Sequence, residues 1–352
     1  MKILHAYCNG QHRSAVLPIV EEMRKRGHEV KEVRVQSSTL TVADGEEDIS
    51  NFKQDVFINS YPHIMKSKEL AFPYQHGLKV CIEHGVNPIA WAFPIERHQL
   101  YDLVCLPGKW ADRVIRKHPD WQGKEGEKAV MTGWPKVDAL VGRTQEDRAS
   151  DRLVLEGKMR EKFIQGQPII AFVPTHGAAW WRADQLVELK IPNLVIAPHE
   201  GRYAAFRNQP GAIRGMSMNY AEKYPWYIET SNIYEVLSAA DLVISDYSSA
   251  MLESLVLDIP VLQLLTEVTL HNRKKIDPIK SGYYALSQND DRVFKVGPNV
   301  NNMGEVVSEI DKLLKDRSYF QAEREFWRDE IFHDLGNATK NVCDLIESRM
   351  KK

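Results

Sequence analysis

The sequence LVISDYSSAMLESLVLDIPVL, at residues 242–262, decides the fold class. Its first four residues are a mostly apolar run that predicts a buried strand, and a turn of small hydroxyl side chains follows. Residues 250–257 predict a helix, and residues 260–264 predict a second strand. A strand, a helix and a strand in succession form the unit from which parallel sheets are built. The stretch therefore predicts an α/β protein.

The same alternation of short apolar runs, turns and helical patterns occupies most of the chain. It occurs in two series, which a charged, helix-like stretch at residues 141–166 separates. Two such series predict a pair of Rossmann-like, doubly wound parallel sheets that face a cleft. The segments that predict strands are residues 2–7, 29–35, 55–59, 79–83, 103–106 and 128–131 in the first series, and 168–173, 194–197, 226–229, 242–245 and 260–264 in the second.

The length of the chain favours two domains. At 352 residues it exceeds what one hydrophobic core ordinarily supports, since single cores stop growing at about 250 to 300 residues. We predict a Rossmann-like N-terminal domain at residues 1–148 and a Rossmann-like C-terminal domain at residues 149–325. The helical pattern at residues 326–352 predicts a helix that packs back on the N-terminal domain. Near the start of the chain, we expect a polar loop at residues 8–13 and a helix at residues 14–26.

The charge balance argues against nucleic-acid binding as the main task. The chain has 46 basic and 48 acidic side chains and a formal net charge of −2, so no overall positive field attracts nucleic acid. The composition does not exclude a local basic groove. The four cysteines are scattered without CxxC spacing, which is typical of reduced thiols in a cytoplasmic protein. No apolar run reaches signal-peptide length or the ~20 residues that span a bilayer. We therefore expect a cytoplasmic protein, with peripheral membrane association left open.

The turn after the strand at residues 242–245 predicts a diphosphate site. Residues 248–251 are expected at the start of the next helix, where their backbone N–H groups have no carbonyl partner within the helix. Such N–H groups suit an anionic ligand. Glu253 is expected at the surface of the first turn of that helix, where it would accept hydrogen bonds from vicinal hydroxyls such as those of a ribose and where its removal would leave the fold intact. The alternative is structural: Ser245 and Ser248 would cap the helix, and Glu253 would favour its dipole.

The Ser-Asp-Tyr-Ser-Ser run at residues 245–249, with Pro260 downstream, resembles the donor-site motif of the CDP-glycerol glycerophosphotransferases, the teichoic-acid primases and polymerases. Further segments occur in the family's order between His84 and Val342. The resemblance implies the GT-B fold of that family and transfer of a phosphoalcohol from a nucleotide-activated donor such as CDP-glycerol. The further segments are Glu83-His84-Gly85 with Pro88, Thr132-Gly133-Trp134-Pro135 with Asp138, Val173-Pro174-Thr175, Pro198-His199 and Gly336-Asn337-Ala338-Thr339.

Two segments depart from the family's pattern. The family's WHGTP is EHGVNP at residues 83–88, and its PTWR is PTHG at residues 174–177; both border the acceptor and the transferred group. The spacing from Glu253 to Pro260 also resembles that of ordinary nucleotide-sugar glycosyltransferases, in which the glutamate holds the ribose. The alternatives are therefore a GT-B glycosyltransferase acting on a glycan, a lipid or a modified nucleobase, a nucleotide-sugar epimerase, and a non-catalytic nucleotide-binding protein.

The resemblance implies two catalytic histidines. His84 would accept the proton of the acceptor hydroxyl, since an imidazole with a pKa of about 6.5 is mostly neutral at working pH, and His199 would stabilise charge on the leaving diphosphate. The alternatives are a structural hydrogen bond for His84 and a surface loop position for His199. The donor-binding candidates are Pro174, Thr175, His176, Arg202, Ser245, Asp246, Tyr247, Ser248, Ser249 and Glu253, and the acceptor-binding candidates are His12, Arg13, Gly85 and Asn87.

The sequence offers little support for metal catalysis. It has no HExxH motif or sequence cluster of cysteines and histidines, and Asn289-Asp290-Asp291 lacks the DxD spacing of metal-dependent transferases. We expect a metal-independent reaction in which helix dipoles and cationic side chains balance the phosphate charge. No cofactor is expected, because the nucleotide-activated donor, CDP- or UDP-linked, is itself a substrate. The acceptor is a polymer, a lipid-linked molecule or a nucleobase, and the sequence does not distinguish among these three.

Overall fold

The computed structural model of the chain contains two parallel sheets with helices packed on them. This architecture confirms the predicted α/β class with two parallel sheets. The strand predicted at residues 226–229 lies outside the described residues. The structure describes residues 1–8, 10–35, 43, 46, 49, 51–60, 76–83, 85, 98–117, 121–123, 127–174, 177–197, 233–246, 248–264 and 295–351, without the side chains of residues 11, 161, 177–181 and 184.

The N-terminal sheet consists of β1 (Lys2–Tyr7), β2 (Glu29–Arg34), β3 (Val56–Asn59), β4 (Leu78–Ile82), β5 (Leu103–Leu106) and β6 (Ala129–Met131). Its strand order is β2-β1-β3-β4-β5-β6, and every neighbouring pair is parallel. All residues of β3 and β5 are buried, as expected for a parallel sheet covered on both faces. The accompanying helices are α1 (Gly10–Lys25), α2 (Lys109–Lys117) and α3 (Asp138–Val141), the last directly after a 3₁₀ turn at Pro135–Val137.

Helix α1 begins at Gly10, so the predicted polar loop at residues 8–13 and the predicted start at Ser14 are wrong. The first turn carries no apolar pattern, yet its side chains make tertiary contacts. His12 is 6% exposed, and the Arg13 guanidinium donates to the Glu32 carboxylate on β2 at 3.0 Å. These contacts involve residues distant in sequence, which the local pattern does not reveal.

The C-terminal sheet consists of β7 (Ile170–Phe172), β8 (Leu194–Ile196), β9 (Leu242–Ser245), β10 (Val261–Leu264) and β11 (Asn299–Val300). The strand order is β11-β10-β9-β7-β8, again with parallel pairs throughout. Strand β11 was not predicted, because a strand of two residues is too short to give a periodic sequence pattern. The accompanying helices are α4 (Gln145–Met159), α5 (Gly177–Glu188), α6 (Ile233–Ala239) and α7 (Ser249–Glu253), with 3₁₀ turns at Arg160–Lys162 and Ser254–Leu257.

Three helices end the chain: α8 (Met303–Lys315), α9 (Gln321–Ile331) and α10 (Ala338–Met350). Helix α8 packs on the C-terminal sheet through buried apolar side chains that include Leu313. Helix α10 instead shares a core with β1 and α1, and the Arg26 guanidinium of the N-terminal half donates to Asp344 at 2.7 Å. The chain therefore returns to the N-terminal sheet after building the C-terminal one. Within the described part of the chain, no helix has the length and apolar character needed to cross a membrane.

Two of the segments that resemble the family interlock. The Thr339 N–H donates to the Asp138 carboxylate at 2.7 Å, and the Asn341 amide donates to the Thr132 carbonyl at 3.3 Å. Gly133 has a φ of +86° and lies directly against the chain around Ala338. The segments at residues 132–138 and 336–339 thus attach α10 to the N-terminal half.

We expect Gly133→Ala to destabilise the protein by roughly 2–5 kcal/mol, because it adds left-handed backbone strain to overpacking. The new methyl group would lie 2.4 Å from the His333 carbonyl oxygen and 2.7 Å from the Ala338 Cβ. Gly27→Ala is a matched control, since Gly27 has a φ of +84° with no neighbouring atom within 4 Å. Denaturant midpoints measure both effects. Equal losses in the two variants would show that the contact with α10 contributes nothing.

Candidate active site

Ser248 caps helix α7. Its backbone is extended, with φ −65° and ψ 148°, and its hydroxyl oxygen accepts from the Ala250 N–H at 3.2 Å. The Met251 N–H donates to the Ser248 carbonyl at 3.1 Å. Two of the four N–H groups expected to receive a diphosphate are therefore already engaged. The N–H groups of Ser248 and Ser249 are the pair for which no hydrogen bond to another described residue is found.

The strand that leads to this turn is held by two polar side chains. Ser245 is fully buried, and its hydroxyl donates to the Val173 carbonyl on the neighbouring strand at 2.8 Å. The Gln263 amide of β10 donates to the Asp246 carbonyl at 2.8 Å. Ser245 thus ties strands together rather than capping α7, and its contact with a donor stays a prediction. Gln263 supports the turn from another strand, and nothing in its local sequence indicated that role.

Glu253 has a different environment from the one predicted. It is the fifth residue of α7 rather than part of the first turn, and it is fully buried rather than exposed on the helix surface. Its Oε1 accepts from the Lys136 ammonium at 2.6 Å, so an ion pair joins the two halves of the chain. The expected exposed carboxylate is wrong because its partner lies 117 residues away in sequence. A contact with ribose stays a prediction.

The surroundings of Lys136 restrain that ion pair. The ammonium lies 5.6 Å from the centroid of the Trp134 ring and 5.7 Å from that of Tyr234. The Tyr234 hydroxyl donates to the Lys136 carbonyl at 2.7 Å. Burial, and then the nearby Glu253 carboxylate, raise the pKa of Tyr234 well above its ordinary value, so the phenol stays protonated as a donor. The pair is therefore enclosed by aromatic rings and one neutral hydroxyl.

Gly85, a predicted acceptor-binding residue, lies close to the start of α7, where the donor is predicted to bind. Gly85 follows β4, and a methyl group added there would lie 3.5 Å from the Ser249 hydroxyl oxygen at the start of α7. On the other side of His84, the Glu83 carbonyl accepts from the Trp134 indole N–H at 2.9 Å. The two residues that flank His84 are thus held where the halves of the chain meet.

Several predicted site residues cannot be placed. Pro174 is described and buried just after β7. The candidates outside the described residues are His84, Asn87, Thr175, His176, His199, Arg202 and Tyr247.

The other acceptor candidates lie in helix α1. The His12 carbonyl accepts from the Ser60 hydroxyl at 2.7 Å, and the Arg13 guanidinium is paired with Glu32 on β2, the edge strand. Strands β1 and β3 lie between β2 and β4, which precedes Gly85. Arg13 is thus paired with Glu32 at the edge of the sheet, with two strands between it and the strand that precedes Gly85. Its contact with an acceptor stays a prediction without structural support.

A group of possible metal ligands also lies at the end of β4. Cys81, Glu83 and His98 are all buried, and their potential ligand atoms lie within 4.8 Å of one another. No local sequence pattern indicates this group, because its histidine is 15 residues from Glu83, beyond any short motif spacing.

Solved structures with this architecture have low sequence identity to the chain. The wall teichoic acid polymerase TagF superposes with a TM-score of 0.67 at 16% identity, over 100% of this chain and 89% of that chain. UDP-GlcNAc 2-epimerase from Neisseria meningitidis gives 0.57 at 13% identity, over 100% of both chains. MurG from Acinetobacter baumannii gives 0.50 at 14% identity, over 99% of both chains. These likenesses confirm the predicted GT-B fold.

No curated protein sequence matches the chain significantly. The family model described as CDP-Glycerol:Poly(glycerophosphate) glycerophosphotransferase matches residues 96–348, which is more than two thirds of the chain. The match includes the run at residues 245–249 and the interlocking segments at residues 132–138 and 336–339, and it begins after Gly85. It confirms the resemblance drawn from those motifs. The chain therefore belongs to the CDP-glycerol:poly(glycerophosphate) glycerophosphotransferase family, and it is a group transferase that uses a nucleotide-activated donor.

Proposed function

We propose that the protein transfers glycerol phosphate from CDP-glycerol to an acceptor hydroxyl and releases CMP. The observation that carries this proposal is the approach of Gly85 to Ser249 at the start of α7, because Gly85 directly follows His84 in the sequence. A general base and an anion-binding helix start would then act on one substrate from opposite sides. Family membership supports the donor class, and a TagF variant was soaked with CDPG.

In the proposed reaction, the acceptor oxygen attacks the phosphorus that carries glycerol. The new bond joins the acceptor oxygen to that phosphorus, and the bond from the same phosphorus to the CMP oxygen breaks. His84 takes the hydroxyl proton, and the electron pair of the broken bond leaves with CMP. The N–H groups of Ser248 and Ser249 would bind the diphosphate, where the positive end of the helix favours anions. His199 and Arg202 would balance the charge that develops on CMP.

Each half of the chain contributes one part of this machinery. The base lies in the N-terminal half and the diphosphate site in the C-terminal half. We propose that residues 1–148 bind the acceptor and residues 149–325 bind the donor, with the ion pair of Lys136 and Glu253 joining them. Alignment of the reactants in the cleft and exclusion of water would then supply much of the rate enhancement.

The test is release of nucleotide with and without an acceptor. Purified protein is incubated with CDP-glycerol, CDP-ribitol, UDP-sugars or GDP-sugars, each alone and with glycerol-phosphate oligomers or glycan acceptors. We expect CMP from CDP-glycerol only when a glycerol-phosphate acceptor is present. Release of UDP from a UDP-sugar would instead support the glycosyltransferase alternative. Sugar epimerisation without an acceptor, or no turnover with any donor, would refute the proposal.

The donor site can be tested by adding a negative charge at the start of α7. We expect Ser249→Asp to weaken CDP-glycerol binding by at least about tenfold, since a carboxylate there repels the diphosphate and competes for the same N–H groups. Ser308→Asp, on the exposed surface of α8, is the matched control and should leave the affinity unchanged. Calorimetric titration measures both. An unaltered affinity in Ser249→Asp would remove α7 from the donor site.

A further inference from the structure

Three side chains with metal-binding atoms meet in the interior of the N-terminal half. The Cys81 thiol, the Glu83 carboxylate and the His98 imidazole are buried, and their ligand atoms lie within 4.8 Å of one another. His98 is fully buried, and its Nε2 lies 2.5 Å from the Glu83 Oε1. The group lies outside the turn at residues 248–251 that is proposed to bind the donor, and neither general-base catalysis nor diphosphate binding uses its side chains.

The three residues come from two neighbouring parts of the N-terminal half. Cys81 lies on β4 and Glu83 just beyond its end, two positions apart, so their side chains point to the same side of the strand. His98 precedes β5, which pairs with β4, and the Tyr101 N–H donates to the His98 carbonyl in a tight turn. Cys81 and Glu83 thus come from the end of one strand, and His98 reaches them from the segment that leads into the next strand.

The chemistry of the three groups fits a zinc ion. Zn²⁺ binds thiolate, imidazole and carboxylate ligands in a tetrahedral arrangement, and these side chains supply one of each. A cation would also compensate the cost of burying the Glu83 carboxylate.

We propose that Cys81, Glu83 and His98 bind a zinc ion at the end of β4, and that this ion fixes the segment that continues into His84 and Gly85. The three residues supply three of the four positions that Zn²⁺ ordinarily takes. Two ligand atoms of a tetrahedral zinc ion lie roughly 3.3 Å apart, so the contact between Glu83 and His98 has to open slightly. None of the three ligands belongs to the turn at residues 248–251, so the proposed role of the zinc ion is structural, and the proposed transfer reaction needs no metal on the phosphate.

The direct test is metal content and cobalt substitution of the full-length protein. After expression with added Zn²⁺ and exhaustive buffer exchange, elemental analysis should give about one zinc per chain. Replacement by Co²⁺ should produce a thiolate-to-cobalt charge-transfer band in the near ultraviolet and intense visible bands of a tetrahedral site. A zinc content near zero together with a cobalt spectrum without the thiolate band would overturn the proposal, and that outcome needs no variant.

Variants then assign the ligands. Cys81→Ser, Glu83→Gln and His98→Gln should each weaken Zn²⁺ binding by at least about 100-fold, since even residues behind the ligands of a zinc site contribute 10- to 100-fold. Cys105→Ala is the matched control, because Cys105 is a buried cysteine on the neighbouring strand outside the group. Affinity is measured by competition with a chromophoric chelator. Loss of binding in the control alone, or unchanged binding in Cys81→Ser and His98→Gln, would place the ion elsewhere. Because metal binding is read directly, failure of the transfer reaction leaves this test intact.

Discussion

Replacing His84 with alanine should lower turnover by about 10² to 10⁴-fold while changing CDP-glycerol affinity little, because a general base contributes about that factor. The residue itself lies outside the described part of the chain. Its neighbour Glu83 accepts a hydrogen bond from Trp134, and its neighbour Gly85 lies close to Ser249 of the C-terminal half. The loss corresponds to roughly 3–5 kcal/mol of activation free energy.

The measurement is steady-state turnover beside calorimetric donor affinity for each variant. His76→Ala is the matched control, since His76 is an exposed histidine just before β4 and should retain full turnover. His199→Ala should impair both quantities, because a phosphate contact made in the bound donor strengthens as charge develops on CMP. Near-normal turnover in His84→Ala, or a loss of donor affinity as large as in His199→Ala, would make the element at Gly85 structural.

Removal of the Glu253 carboxylate should destabilise the protein by about 3–5 kcal/mol, the usual cost of leaving one partner of a buried ion pair alone. Glu253→Ala leaves the Lys136 ammonium without its carboxylate partner beside two aromatic rings, and the Lys136 side chain is only 13% exposed. The sequence pattern alone suggested an exposed carboxylate whose removal leaves the fold intact. The buried ion pair reverses that expectation.

Denaturant unfolding distinguishes the two cases. The double variant Lys136→Met with Glu253→Leu should recover most of the lost stability, since well-packed apolar residues often replace a buried pair without cost. Asp311→Ala is the control: it breaks the exposed contact with Lys315 and should barely move the midpoint. If Glu253→Ala unfolds at the same denaturant concentration as the parent protein, the pair does not join the two halves.

The sequence by itself determined the sheets. The predicted bounds of β1, β5 and β9 agree with the structure. A strand covered on both faces must be apolar along its whole length, so a run of consecutive apolar residues predicts its burial. The family motifs were also readable, because each is a short local run, and the family match over residues 96–348 covers all of them except the segment at residues 83–88.

Only the tertiary structure decided what the polar residues do. Glu253 is buried beside Lys136, which reaches it from the other half of the chain. Cys81 and His98 meet although 17 positions separate them in the sequence, because the chain folds back beside β4 before it enters β5. In each case the partner lies far away in sequence, and a buried polar group is stable only with its partner in place. Local patterns record whether a residue is apolar, whereas the partner of a polar residue is fixed only when the sheets and helices have been assembled.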